Sequence, residues 1–289
     1  MQETSRDIVW RNMEAELQSV CQRAGGTPGV QTSGVVGYSL LDLSSGKKTG
    51  FHDDILFPTA STIKITILLG LATRVHRGEL AWERRIPVGT EGKVGGSGVL
   101  SLLRDPVELS LWDLASLMIA VSDNHATNMC IDFAGMAFVN ELLDSLGLRK
   151  TRLRRKMIDA EAVKRGDENV ATPGELTALL EKLYKGEGIP AKVAADVLKI
   201  LELPKSGPFA RALPPSVRRA NKTGGLDRVQ VDAGVIYLPG KDFCLAVMGS
   251  YLPKGELLPE DAVTGVVAAA YRYMALLAEC NDLGRTQVF

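Results

Sequence analysis

Residues 57–71 have the sequence FPTASTIKITILLGL. From Ile63 onward, apolar side chains cover nearly every side of a helical wheel, which predicts a helix that is buried on all faces. Before this stretch the sequence has the pattern of strands, and after it helical patterns dominate to about residue 204. The stretch therefore marks the point where a sheet gives way to a helical region.

Strand patterns lie at both ends of the chain. An apolar run over 35–43 is followed, across a turn, by a return strand over 48–52. Near the other end, 234–238 and 243–248 flank the turn Pro239–Asp242, which is a hairpin signature. Strands that are separated in this way predict one sheet built from both termini.

Helices are predicted on both sides of these strands. An amphipathic pattern over 8–21 ends at the glycine-rich segment 25–29, and Pro259–Asp261 would begin a final helix. Further helical patterns cover 111–121, 126–134, 138–146 and 175–184. The charged stretch 151–172 lacks clear periodicity and is predicted to be a long loop, a kind of segment that is usually functional.

The predicted fold class is therefore α/β with two domains. An antiparallel sheet flanked by N- and C-terminal helices would be formed discontinuously by 1–57 and 208–289. An all-helical domain, 58–207, would be inserted between the two parts and would carry the loop 151–172.

Composition excludes several function classes. The 289 residues include 34 Lys plus Arg and 34 Asp plus Glu, so the formal net charge is zero and neither a nucleic acid nor a membrane surface is an expected partner. The four cysteines form no CxxC pair, and the three histidines have no metal-binding spacing, so we expect no metal and no cofactor.

Location and assembly are predicted only in outline. No apolar run approaches the ~20 residues that a transmembrane helix needs. The polar residues 1–7 lack the layout of a signal peptide, which predicts a cytoplasmic protein, or a periplasmic or secreted one if a signal has been removed. A monomer is expected.

The opening stretch holds the motif S-x-x-K, at Ser61 and Lys64. Residues three apart share a helix face, so the hydroxyl and the amine are expected to lie side by side. Burial favours the neutral amine, which is a competent general base beside a serine, and the helix N-terminus favours a developing alkoxide. Two other copies, which begin at Ser44 and Ser45, fall in a turn where no buried helix would desolvate the lysine.

A second motif, S-D-N, covers Ser122 to Asn124 and follows the apolar segment 117–121. The Ser122 hydroxyl can relay a proton to a leaving nitrogen. The amide of Asn124 has both donors and an acceptor, so it can hold the lysine and a substrate carbonyl. Taken alone, the motif also fits a polar helix break with local capping.

A third motif, K-T-G, covers Lys222, Thr223 and Gly224. A lysine and a hydroxyl on a strand can bind a substrate carboxylate, and glycine lets that strand approach a ligand closely. A second copy at 48–50 is less favoured, because the later copy follows the helical region and precedes the hairpin.

The three motifs occur in the order S-x-x-K, S-D-N, K-T-G, and this ordered set resembles the signature of the class A serine β-lactamases and penicillin-binding proteins. Residues 57–64 and 121–128 are similar to that family's first two motif regions. Residues 166–168 and 172–173 are similar to the end of its omega loop. The resemblance covers most of the chain and implies the family's fold, which matches the split layout.

The resemblance also implies a mechanism. Ser61 would attack an amide carbonyl to give an acyl-enzyme, with the backbone N–H groups of Ser61 and Gly225 as the oxyanion hole. Ser122 would pass a proton to the leaving nitrogen. Lys222 and Thr223 would hold the substrate carboxylate.

The region that the family uses for deacylation departs from its pattern. The family has a glutamate in the omega loop that activates water, followed four residues later by an asparagine. Here Met157 takes the glutamate position and Glu161 the asparagine position, with Asp159 between them. Methionine cannot take a proton, so Glu161 is the predicted base, with Asp159 as an alternative; both could instead be solvated loop charges. The family often has an arginine after K-T-G, where this chain has Val231 and Asp232.

The sequence predicts a serine hydrolase that forms an acyl-enzyme at Ser61 and opens β-lactams. One alternative is an amidase or esterase that acts on another substrate, and another is a β-lactam-binding protein that is acylated and stops there. The expected partner is a small molecule, a β-lactam or another amide or ester with a carboxylate. Met157 favours the alternatives over a fast β-lactamase.

Overall fold

The structure is a computed structural model, and it describes residues 4–24, 34–89, 93–104, 107–253 and 262–286. The strands are β1 Val35–Asp42, β2 Lys48–Phe51, β3 Phe57–Pro58, β4 Arg85–Val88, β5 Val107–Ser110, β6 Val170–Ala171, β7 Arg219–Leu226, β8 Val229–Ile236 and β9 Phe243–Ser250. The helices are α1 Ser5–Ala24, α2 Lys64–His76, α3 Leu111–Ala120, α4 Asn124–Ala134, α5 Met136–Ser145, α6 Ala160–Lys164, α7 Pro173–Lys185, α8 Ala191–Leu201, α9 Pro208–Ala212 and α10 Ala262–Glu279.

The central sheet has five strands in the order β2-β1-β9-β8-β7, and all neighbours are antiparallel. Strand β1 pairs along its whole length with β9, from Val35 opposite Ser250 to Asp42 opposite Phe243. The sheet is thus built from both ends of the chain, as predicted. The predicted fold class, with the sheet packed against N- and C-terminal helices beside a helical region, is confirmed.

Two hydrophobic clusters cover the two faces of the sheet. Successive side chains of a strand point to opposite faces. Accordingly Leu245 and Val247 of β9 belong to the cluster under α1 and α10, whereas Ala246 and Met248 belong to the larger cluster under the helical region. Every residue of β9 is buried as a result, which explains its continuous apolar run.

The larger cluster crosses both predicted domain boundaries. It joins Phe57 and Val235, from the sheet portion, to Leu68 of α2 and Leu180 of α7. The sheet face and the helices therefore share one core. The division at 57 and 207 into two domains remains a prediction.

Several elements were not predicted from the sequence. They include α8 and the hairpin of β4 and β5. The predicted loop 151–172 contains α6 and β6, and Arg152 bridges to Val170 across it. The predicted helix start at Pro259–Asp261 and the glycine-rich segment 25–29 lie outside the described residues. Within the described ranges, no helix combines the length and apolar character needed to cross a bilayer.

Candidate active site

Ser61 lies in a single 3-10 turn, Ala60–Ile63, which leads directly into α2. Lys64 is the first residue of α2 and has no exposed surface. Burial, helped by the nearby positive charge of Lys222, holds the pKa of the Lys64 amine well below its ordinary value. Burial therefore favours the neutral amine, which is the form that can accept a proton.

The S-D-N motif forms the connection between α3 and α4. Ser122 has a φ of 55°, in the left-handed region that residues with a β-carbon rarely adopt. Asp123 fixes this connection, since its carboxylate accepts the backbone N–H of Ala126 at 2.9 Å and caps α4. The same carboxylate accepts the N–H groups of Val99 and Leu100, at 2.6 and 2.8 Å. The strained Ser122 is thus held by a buried anchor.

The nucleophile, the relay hydroxyl and the amine form a continuous hydrogen-bonded chain. Ser122 Oγ donates to Ser61 Oγ at 2.8 Å. Lys64 Nζ donates to Ser122 Oγ at 3.0 Å, to the Ser122 carbonyl at 2.8 Å and to Asn124 Oδ1 at 3.2 Å. These bonds donate from Lys64 through Ser122 toward Ser61, so a proton can pass from Ser61 to Lys64 along this chain only when both hydroxyl hydrogens turn toward a neutral amine.

Lys222 also forms a hydrogen bond with the Ser122 hydroxyl. Its Nζ donates to Ser122 Oγ at 3.3 Å and to the Thr223 carbonyl at 2.7 Å. Burial lowers the pKa of Lys222 to about 7, and the negative charge of Asp232 acts in the opposite direction. Lys222 thus has a charge that responds to pH near neutrality.

Asp232 is a fully buried carboxylate on β8, opposite Thr223 of β7. It accepts hydrogen bonds from Asn221 Nδ2 at 2.8 Å and from the backbone N–H of Phe209, at the start of α9, at 3.1 Å. Burial raises its pKa to about 6, although these hydrogen bonds and the lysine charges oppose the shift. Asp232 therefore ties α9 to the strand that carries Lys222.

Strand β7 approaches the nucleophile turn very closely at Gly224. A β-carbon there would lie 2.7 Å from the backbone N of Ser61 and 2.9 Å from the carbonyl O of Thr59. A side chain larger than hydrogen would push β7 away from Ser61. Ser61, Ser122, Thr223 and Gly225 line one cleft of about 280 Å³.

Residues 15–274 match the profile of the Beta-lactamase enzyme family. The chain belongs to this family. The predicted resemblance to class A β-lactamases and penicillin-binding proteins is confirmed, and it extends over about nine-tenths of the chain.

Solved structures of family members have the same fold. A β-lactamase from Sphaerobacter thermophilus is 32% identical with a TM-score of 0.81, and the match covers 92% of this chain and 98% of that one. A mutant of PBP-A, solved as an acyl-enzyme with penicillin G, is 26% identical with a TM-score of 0.79 over 91% of this chain and 96% of that one. A β-lactamase from Chitinophaga pinensis, 21% identical with a TM-score of 0.80 over 91% and 98%, is similar in fold.

Met157 occupies a fixed place in a cleft that also reaches Ser61 in this member of the β-lactamase family. Asn128 of α4 holds its backbone, since Asn128 Oδ1 accepts the Met157 N–H at 2.7 Å and Nδ2 donates to the Met157 carbonyl at 3.1 Å. The side chain is 8% exposed and lines a second cleft, of about 610 Å³, that also reaches Ser61. An apolar thioether thus lies where the family pattern led us to expect a carboxylate.

The structure does not bring Glu161 to the nucleophile. Its side chain is 73% exposed on α6 and forms an ion pair with Lys164 at 2.7 Å, because the short helix turns this position toward solvent. Asp159 does line the second cleft, but its carboxylate caps α6 by accepting the Ala162 N–H at 2.9 Å. Neither carboxylate hydrogen-bonds to Ser61, Lys64 or Ser122 among the described residues.

Two positioning residues were missed in the sequence. The local capping that the S-D-N motif suggested is provided by Asp123, an aspartate immediately before a helix. Asn128 and Asp232 had no local signal, since their partners at Met157, Phe209 and Asn221 are brought to them by the fold.

Proposed function

We propose that this protein is a serine hydrolase that β-lactams acylate at Ser61 and that releases the opened product slowly. The hydrogen-bonded chain from Ser61 through Ser122 to Lys64 supports acylation. The similarity to a PBP-A mutant solved as an acyl-enzyme with penicillin G also supports it.

Acylation uses groups that are already in contact. Once Lys64 is neutral and the hydroxyl hydrogens of Ser61 and Ser122 point toward the amine, Ser61 Oγ attacks the lactam carbonyl carbon while its proton passes through Ser122 Oγ to Lys64 Nζ. The carbonyl C–N bond then breaks, and the lactam nitrogen takes a proton from Ser122, which recovers one from Lys64. Lys222 and Thr223 bind the substrate carboxylate, and the backbone N–H groups of Ser61 and Gly225 stabilise the oxyanion.

Hydrolysis of the acyl-enzyme lacks a carboxylate base as well placed as Lys64 is for acylation. Among the described residues that line the second cleft, Asp159 is the sole carboxylate, and it caps α6. Met157 cannot accept a proton from water. A positioned general base contributes typically 10²–10⁴-fold, so its loss makes deacylation the slow step.

A non-lactam amide or ester is the second candidate substrate, and the apolar Met157 in the cleft that reaches Ser61 favours it. An ester or reactive amide whose acyl group hydrolyses without strong base catalysis would turn over on the same residues. The chemistry at Ser61 is the same for both candidates.

Labelling with a fluorescent penicillin tests the nucleophile. We expect the unmodified protein to be labelled and Ser61→Ala to lose all labelling. Ser45→Ala is the matched control, because Ser45 belongs to a second S-x-x-K sequence, in the turn after β1, and should be labelled like the unmodified protein. Labelling of Ser61→Ala at the unmodified rate would refute the proposal.

A further inference from the structure

A third cleft, of about 510 Å³, lies between α8 and the β4–β5 hairpin. We call it the tryptophan cleft and define it by Trp82, Glu83, Arg85, Trp112 and Lys199. It shares no lining residue with the two clefts that reach Ser61. Its volume is typical of small-molecule sites, which measure about 300–1,000 Å³.

Two of the three tryptophans of the chain form the apolar part of this cleft. The rings of Trp82 and Trp112 meet edge to face, with centroids 5.3 Å apart and an interplanar angle of 86°. Trp82 belongs to the larger hydrophobic cluster, whereas Trp112 packs against that cluster and is only half-buried. Trp112 therefore has ring surface left for a ligand.

A buried carboxylate holds the cleft in shape. Asp196 is 7% exposed, and it accepts hydrogen bonds from Trp82 Nε1 at 3.0 Å and from Lys192 Nζ at 2.7 Å. Ser110 is also engaged, because its hydroxyl donates to the Asp113 carboxylate at 2.6 Å and accepts the Asp113 N–H at 3.0 Å. These polar groups are therefore satisfied by the protein and orient the walls before any ligand binds.

The other charged groups of the cleft are not neutralised by the protein. Arg85 donates from one nitrogen to the carbonyl of Glu108 at 2.6 Å, and Lys199 Nζ lies 5.2 Å from the centre of the Trp112 ring. Among the residues that the structure describes, neither cation forms an ion pair, and Glu83 forms none either. The cleft thus has two cations and one carboxylate left for a ligand.

These groups define the chemistry of the ligand. The two cations attract an anion, the Glu83 carboxylate needs a hydrogen-bond donor, and Trp112 needs an apolar face. An aromatic acid has no donor for Glu83, and a neutral sugar has no anion. An acidic sugar has all three features, because its ring has an apolar C–H face, its hydroxyls donate and its carboxylate is charged.

We propose that the tryptophan cleft binds an acidic saccharide. Its carboxylate pairs with Arg85 and Lys199, its hydroxyls donate to Glu83, and a sugar ring packs against Trp112. This site is separate from Ser61 and does not depend on the proposed acylation.

Titration with a trimer of galacturonic acid tests the proposal. Isothermal titration calorimetry on the unmodified protein gives the Kd, and tryptophan fluorescence of Trp10→Phe reports the cleft, because Trp82 and Trp112 are then the remaining tryptophans. Maltotriose is the neutral sugar for comparison, and benzoate is the aromatic acid. We expect saturable binding of the acidic trimer and much weaker binding of the other two.

Arg85→Gln and Lys199→Gln should each weaken binding by roughly fivefold, as expected for a partly exposed ion pair, and added salt should weaken it further. Lys185→Gln is the matched control, because Lys185 is also an exposed helix lysine but lies on α7 outside the cleft. Unchanged affinity in both cleft variants would overturn the proposal.

Lys222→Met distinguishes this cleft from the site at Ser61, where a carboxylate could also bind. We expect Lys222→Met to bind the acidic trimer like the unmodified protein. Loss of binding in this variant would place the sugar beside Ser61 and overturn the proposal. Equal affinity for benzoate or maltotriose would overturn the acidic-sugar assignment, and no binding of the acidic trimer would overturn the proposal as a whole.

Discussion

The site contains three ionisable groups that are almost completely buried: Lys64, Lys222 and Asp232. Acylation of a substrate with a carboxylate needs Lys64 neutral and Lys222 protonated. The pKa of Lys64 is well below its ordinary value, and that of Lys222 is about 7. The rate of acylation should therefore fall as pH rises through about 7, where Lys222 loses its charge.

Removing a negative charge or a positive charge near Lys222 should shift the pH at which the acylation rate falls, and the two shifts should be in opposite directions. Asp232 is ionised at pH 7, because its pKa is about 6, and it raises the pKa of Lys222. Lys205, whose amine donates to the carbonyls of Leu201 and Leu203, lowers it. We expect Asp232→Asn to shift the limb of the pH–rate profile to lower pH and Lys205→Met to shift it to higher pH.

The measurement is the second-order acylation rate constant between pH 5 and 9, with a lactam that bears a carboxylate. The same lactam as its methyl ester is the control, and its rate should have no limb near pH 7. Shifts of the two variants in the same direction would contradict the electrostatic account of Lys222.

Met157 is the residue on which slow deacylation depends. We expect Met157→Glu to shorten the acyl-enzyme lifetime by about 10²-fold or more, because a carboxylate in this place can activate water. Met157→Gln introduces a side chain that is similar to glutamate in size and polarity but cannot act as a base. It should not shorten the lifetime to the same degree. Glu161→Gln should leave the lifetime unchanged, since Glu161 is largely exposed and paired with Lys164. Intact mass after a brief pulse of penicillin measures all four lifetimes.

At the level of elements, two asparagines hold the loop 151–172 against the helical region in the same manner. Asn128 of α4 binds both backbone groups of Met157, and Asn140 of α5 binds both backbone groups of Leu153, at 2.8 and 3.0 Å. Each side chain replaces the strand partner that the loop backbone lacks at that residue.

Asn128→Ala and Asn140→Ala should therefore differ in effect. Both leave backbone groups without partners, at a cost of about 1–3 kcal/mol each, and both should speed hydrogen exchange in the loop. Only Asn128→Ala should also slow acylation, by about tenfold, because Met157 lines the second cleft, which reaches Ser61, and Leu153 does not line it. Equal loss of acylation in both variants would show that the loop acts as one unit.

The sequence predicted elements well where a local pattern was sufficient. The buried helix after Ser61 and the strands at both ends have strong apolar periodicity. Helix α8 has apolar residues at helical spacing, at 193, 197, 200 and 201, so its pattern was present but not used. Strand β7 has few apolar residues, because it carries Lys222 and Thr223 into the site instead. The hydrogen bonds of Asn128 and Asp232 join residues that are far apart in the sequence, so no local pattern could predict them.

For the whole molecule, the sheet separates two hydrophobic clusters, and the larger one joins the sheet to the helical region. Because this core is shared, we expect one cooperative unfolding transition in urea. Fluorescence and far-ultraviolet circular dichroism should give the same midpoint. Two separated transitions would instead support independent domains divided at residues 57 and 207.

Leu245→Ala should destabilise this single unit from the face away from Ser61. Leu245 has no exposed surface and lies in the cluster under α1 and α10, so its truncation should cost about 2–5 kcal/mol in the free energy of unfolding. Leu283→Ala is the control, because Leu283 is 83% exposed and should change stability little. Similar losses in both variants would contradict the assignment of Leu245 to the core.

We expect Ser61 to be acylated readily and the acyl group to be released slowly. Intact-protein mass spectrometry over time, after one addition of excess benzylpenicillin, measures both steps in one experiment. We expect an adduct of one penicillin mass that maps to Ser61, forms early and persists after free penicillin is removed. An adduct that vanishes as fast as it forms would show that an efficient deacylation base is present, and absence of any adduct would contradict acylation by lactams altogether.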